Sequence, residues 1–162
     1  MIALVPRSAE QRLTCLLDEL NRRFGQTPWL AVAHRPRAEL VSGFREAKGV
    51  VAVVSATGRP PGRYRLDDVV LEYAAVQDPV TSARLLDVLH PLLDNEVLYG
   101  TLEALIRTDF NRATATRDLF IHRSTLEYRI RRIEEITGQN PLTGRGANML
   151  RAAMAVRAVT GS

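Results

Sequence analysis

The apolar residues of this chain change rhythm near residue 77. Before that point, short apolar runs alternate with helical stripes. Residues 2–5, IALV, are stopped by Pro6 and predict a buried strand. Ser8 is placed to cap a following helix. Leu13, Leu16, Leu17 and Leu20 share a face of that helix, and Gly25 ends it. Residues 29–34, WLAVAH, read as a second strand between Pro28 and Pro36. From about Arg37, steps of three and four between Leu40, Phe44, Ala47, Val51 and Val54 predict a helix, against the strand propensity of VVAVV. TGRPPG is a turn and RYRL a short strand. Asp67 or Asp68 stands as the cap of a helix over 69–76.

Beyond residue 77 the strand signals vanish and helical stripes follow one another. DPVTSARLLDVLHPLL opens with a cap and a first-turn proline and is interrupted by Pro91. NEVLYGTLEALIRT places Leu98, Leu102, Leu105 and Ile106 on one stripe. NRATATRDLF predicts a short helix capped by Asn111 or Thr114, and IH is a tight connection. RSTLEYRIRRIEEIT is a longer helix closed by Gly138 at the position after its end. The pattern therefore predicts an α+β fold. Residues 1–77 form a small α/β region, and residues 78–162 form an all-helical domain.

The length of 162 residues suits one compact domain or two small ones. No run of eighteen apolar residues exists, and the apolar run at the N-terminus is too short for a secretory signal. The single cysteine, Cys15, excludes an internal disulfide and a cysteine-rich zinc site. These features predict a cytoplasmic protein without a membrane segment. Charge sharpens the picture. Between residues 107 and 133 seven arginines face only Asp109, Asp118 and Glu127, while the remaining fifteen basic and fifteen acidic residues balance. The formal excess of +4 thus sits in one window, the electrostatic footprint of a polyanion partner. The competing reading of that window is a solvated helix face that happens to use arginine.

Two short helices joined by a tight turn make a helix-turn-helix, here over about residues 112–137. Leu126, Ile130, Ile133 and Ile136 or Thr137 fall on the inner face of the second helix, with Leu119 and Ile121 as apolar filling. That leaves Arg123, Ser124, Glu127, Tyr128, Arg131 and Arg132 facing outward, an arrangement suited to the major groove of double-stranded DNA. Arg123 suits a bidentate grip on guanine, worth about 1–3 kcal/mol of discrimination, and Glu127 suits a cytosine amino group. Thr114, Thr125, Tyr128, Arg131, Arg132 and, more weakly, Arg112 suit phosphates. Arg129 lies nearer the core and is expected to pair with an acid.

The runs TLEALIRTDFN, LFIHRSTLEYRIRRIEEITG and NMLRAAMAVRAV carry a resemblance. In order and spacing they resemble the C-terminal helix-turn-helix of PucR/CdaR-family bacterial transcription regulators. IHRSTLEYRI also resembles the DNA-reading segment of Fis-type helix-turn-helix proteins. That resemblance implies DNA approach by His122, Arg123, Thr125, Glu127 and Tyr128. Residues 1–76 resemble, more faintly, a degenerate GGDEF-like domain, through GFREAKG and YRLDDV. No GG[DE][DE]F turn is present, so no cyclase activity is implied, and Asp67 and Asp68 read as caps. The family usually carries a further sensory region ahead of this point, so the chain resembles a short member or a C-terminal piece. The chain departs from the family pattern at Ala113, at Ala115–Thr116, at Glu127 and at Phe110, where a glycine turn is usual. The Thr116 hydroxyl is expected where the two helices pack closely, loosening them.

Three function classes remain to be weighed. For an enzyme, there is no glycine-rich phosphate loop, G-x-S-x-G or H-E-x-x-H. His34, His90 and His122 are scattered, and the carboxylates lack metal-site or acid–base spacing. No catalytic residue, metal or cofactor is therefore expected. For an interaction module, ANMLRAAMAVRAV places Met149, Ala153, Val156 and Val159 on one face, which either closes the core or pairs with a partner. The arginine face itself is the other candidate surface of that class. A DNA reader with a single recognition helix gains from dimerisation, so a homodimer is expected. Nothing points to a small-molecule effector pocket.

Overall fold

The computed structural model describes residues 12–25 and 27–161, excluding the side chains of Leu13, Thr14, Leu16, Leu17 and Phe24. The predicted strand at residues 2–5 and the Ser8 cap lie outside the described residues. The fold is α+β and mostly helical, in two compact units, Met1–Tyr73 and Ala74–Ser162.

In the first unit, α1 (Arg12–Phe24) ends as expected at Gly25, whose φ of 66° suits a residue without Cβ. Strand β1 (Trp29–Ala31) pairs in parallel with β2 (Gly62–Tyr64), in the register Trp29↔Gly62, Leu30↔Arg63 and Ala31↔Tyr64. A parallel pair needs a crossover, which α2 (Leu40–Ala56) supplies after a 3-10 turn at Arg37–Glu39. The predicted strand at 29–34 is cut to three residues because its partner is equally short; Val32 N–H makes the last bond, to Tyr64 O at 2.9 Å.

The helix α2 exists as expected, but its buried face is Gly43, Val50, Val53 and Val54, while Leu40 and Phe44 are exposed. VVAVV is apolar on every side, so its periodicity does not choose a face. Asp68 is not the cap of the next helix. Its carboxylate accepts from Arg65 N–H at 2.7 Å and closes a 3-10 turn at Leu66–Asp68. Then α3 (Val70–Gln77) carries the chain onward. The buried Glu72 is satisfied by Arg59 at 3.0 Å.

In the second unit the expected helices are present. α4 (Pro79–Leu89) starts at the Asp78 cap with Pro79 in its first turn, and a 3-10 turn at His90–Leu92 follows at Pro91. α5 (Glu96–Arg107) is capped by Asn95. α6 (Arg112–Asp118), α7 (Arg123–Thr137) and α8 (Gly144–Thr160) complete the unit. One core joins Leu85, Leu89, Leu92, Leu98, Leu102, Ile133, Leu150, Ala153 and Val156. A smaller core joins Leu105, Ala115, Leu126 and Ile130. Ala153 and Val156 are fully buried and Met149 packs against them, so this face of α8 closes the core and is not a free pairing surface.

Leu126 is fully buried in the smaller core, the one that holds α7 to its neighbours. Leu126→Ala is expected to cost about 2–5 kcal/mol, read as a lower urea midpoint at unchanged slope.

Candidate nucleic-acid interface

The interface begins with how α5 hands the chain to α6. The end of α5 is a reversed turn in which Asp109 N–H bonds Ile106 O at 3.1 Å and Phe110 N–H bonds Leu105 O at 2.6 Å. Asp109 (φ 50°) and Phe110 (φ 57°) are both left-handed, so Phe110 adopts the conformation for which a glycine is usual at this position. Arg151 of α8 braces it, paired with Asp109 at 2.5 Å and lying 5.4 Å over the Phe110 ring. Asn111 then caps α6, its side-chain oxygen accepting from Thr114 N–H at 3.1 Å.

Contact between α6 and α7 depends on Ala115, which has no exposed surface. This corrects the expectation for Thr116. Its hydroxyl turns back to Ala113 O at 2.9 Å and is not in the close contact. Leu119 and Ile121 pack against the smaller core as expected. Arg107 of α5 pairs with Asp118 at the end of α6, at 3.3 Å.

The connection ends at His122, which caps α7. Its Nδ1 accepts from Ser124 N–H at 3.3 Å and lies 2.8 Å from Ser124 Oγ. An accepting Nδ1 places the ring proton on Nε2, a donor on the exposed side of the cap. The far end of α7 closes on Gly138, whose φ is 68°.

The inner face of α7 is Leu126, Ile130 and Ile133, all buried. His122, Arg123, Ser124, Tyr128, Arg131 and Arg132 are exposed, and Glu127 and Thr125 are half-buried. The predicted residues of α7 therefore share one outward surface. Arg112 is exposed at the start of α6, and its charge contributes to lowering the Glu127 carboxyl. Thr114 is half-buried on α6 with its backbone N–H taken by Asn111.

The arginines are not all free. Arg123 Nε donates to Glu127 at 2.9 Å, one helical turn on, and Arg132 pairs with Glu135. Arg129 does turn toward the core, but its partner is the hydroxyl of buried Thr101 at 3.2 Å, not an acid. Among the described residues of this window, Arg112, Arg117 and Arg131 have no ion-pair partner within 4 Å, Arg117 donating instead to Ala113 O. Two further participants escape prediction from the sequence. Arg151 lies 42 residues from Asp109, and the left-handed Phe120 carries no marker in its residue type.

The arrangement of α6, its tight connection and α7, packed on α5, defines a helix-turn-helix domain. In particular, residues 98–156 match the model of the PucR C-terminal helix-turn-helix domain. The carbohydrate diacid regulator of Escherichia coli (strain K12) is 45% identical over 56 residues, which cover 35% of this chain and 14% of the regulator. An uncharacterised protein of Mycobacterium tuberculosis (strain ATCC 25618 / H37Rv) is 34% identical over 132 residues, covering 80% of this chain. The chain spans 30% of the length of that relative. A regulator of polyketide synthase expression from Bifidobacterium adolescentis is similar in structure, with a TM-score of 0.48 and 24% identity over 70% of this chain and 49% of that one.

The hydrogen bond from Arg123 is the main cause that holds the Glu127 carboxyl below the usual carboxylate range. Desolvation opposes it, and the charges of Arg123, Arg112 and Arg131 each add a lesser lowering effect. A depressed carboxylate stabilises the fold above its unfolded value and stops doing so as pH falls through the folded one. The pair is therefore intact at neutral pH. In a carboxyl NMR titration Glu127 is expected to titrate below an unpaired glutamate, and to return to the usual range in Arg123→Ala.

Proposed function

We propose that the chain is part of a transcriptional regulator that reads duplex DNA through α7 and acts by binding, without catalysis. One observation carries this reading: α7 buries Leu126, Ile130 and Ile133 and turns Arg123, Tyr128, Arg131 and Arg132 to solvent on a helix-turn-helix. The match to the PucR domain and the name of the Escherichia coli relative support it.

In this reading α7 enters the major groove by its N-terminal end. Arg123 reads guanine and Glu127 a cytosine amino group. The exposed i,i+4 pair between them is a weak interaction, so a bidentate base contact displaces it. Arg131 and Arg112 hold phosphates directly, with Thr114, Thr125 and Tyr128 as neutral donors. Arg132 does so by giving up Glu135. His122 offers Nε2–H, and Ser124 its hydroxyl, beside the positive end of the helix.

The chain works as a homodimer in this proposal, because one recognition helix binds weakly and two half-sites multiply affinity. The β1–α2–β2 crossover is compatible with a remnant of a GGDEF-like domain, which would serve dimerisation or relay a signal from an upstream sensory region.

Selection from a randomised duplex pool at two salt concentrations tests the reading. A recovered motif with steep salt dependence supports it, and no enrichment by folded protein refutes it in favour of a protein-interaction module. Arg123→Ala is expected to relax sequence preference. Arg131→Ala and Arg132→Ala should weaken all duplexes alike. The salt slope should flatten by about one unit for Arg131, and by less for Arg132, which exchanges one anion for another. Equal effects of all three on selected and random duplexes would remove the division of roles.

A further inference from the structure

Phe120 has no structural reason to be phenylalanine. It is the residue after the end of α6, in a reversed turn where its N–H bonds Arg117 O at 3.2 Å and Ile121 N–H bonds Thr116 O at 3.1 Å. That turn requires the left-handed conformation, and Phe120 has φ 53°. Glycine meets the requirement without strain, whereas a bulky side chain is strained there. Phe120 also gains no packing, for its surface is 95% exposed. It is the most exposed large hydrophobic among the described residues. Leu119 and Ile121 on either side turn into the smaller core, while Phe120 and His122 turn out. The fold thus strains its backbone to hold an aromatic ring in water two residues before the cap of α7.

We propose that Phe120 is a specificity-determining contact, whose ring packs on a thymine methyl group in the major groove beside the bases read by α7. This rests on the DNA reading above. Phe120 lies three positions before Arg123, a reach of at most about 11 Å of chain, within the roughly 12 Å width of the groove. The thymine methyl is the apolar group the major groove presents, and aromatic and aliphatic side chains recognise it. Charge on this surface is already supplied by Arg112, Arg123, Arg131 and Arg132. An apolar reader adds a discrimination that no arginine provides.

The test uses the whole chain, Phe120→Gly and Phe120→Asn, both of which keep the left-handed turn, with a duplex carrying the motif the wild-type chain selects. Thermal unfolding is expected to show the glycine variant at least as stable as the wild type. Its affinity for the selected duplex should fall about tenfold, with little change on random duplex. Replacing thymine by deoxyuridine at the flanking position removes only the methyl. That replacement should weaken the wild type by a similar factor and leave both variants unchanged. Unchanged affinity of Phe120→Gly, or an equal deoxyuridine effect on wild type and variants, overturns the assignment while leaving DNA reading intact. An equal loss on selected and random duplexes also overturns it, by making Phe120 a backbone contact. A wild-type chain that selects no sequence overturns both readings together.

Discussion

The helix-turn-helix depends on how closely α6 can approach α7, and that distance is set by a methyl group. Ala115 is the only residue of α6 with no exposed surface, and it meets Leu105, Leu126 and Ile130. A larger side chain would push α6 outward and carry Arg112 away from Glu127. It would also pull on the connection that sets the His122 cap, because Leu119 and Ile121 pack into the same small core. Interiors packed at crystal density transmit such displacements instead of absorbing them. The outward face of α7 is thus positioned from behind, by apolar contacts that never reach the surface.

The charges of this surface are conditioned in the same way. The window carries seven arginines, but Arg107 is paired with Asp118, Arg123 with Glu127 and Arg132 with Glu135, and Arg129 is turned inward to Thr101. The exposed internal pairs are individually weak. They hold side chains in defined positions in the free protein and are exchanged without great loss when a stronger anion arrives. The surface is therefore less cationic at rest than its composition implies, which limits indiscriminate attachment to polyanions.

Much of this was legible in the sequence, and the limits have physical causes. The second unit was readable because its signals are local. Asp78, Asn95, Asn111 and Gly138 sit at helix ends as their types require, and Leu126, Ile130 and Ile133 mark the inner face of α7 by spacing alone. The first unit was harder. The VVAVV run of α2 is apolar on all sides, so burial of Val50, Val53 and Val54 instead of Leu40 and Phe44 is a tertiary outcome. Asp68 could cap a helix or close a turn with equal local chemistry, and Arg65 decided it. In the interface, side-chain pairing between helices was invisible, and so were the backbone angles of Phe110 and Phe120, which belong to a type that rarely adopts them.

The left-handed angles of Asp109, Phe110 and Phe120 have one further consequence. They bracket α6, a helix of seven residues, with left-handed non-glycine residues on both sides. A helix that short has no stability of its own, and its flanks are strained, so α6 persists only while Ala115 stays packed and Asn111 stays capped. α7 has fifteen residues, three of them buried along its inner face. Local opening of the unit therefore falls on α6, whose amides exchange with solvent while those of α7 remain protected. The two halves of the motif differ in this respect: a stiff helix carries the arginine face beside a soft one that can yield to the shape it meets.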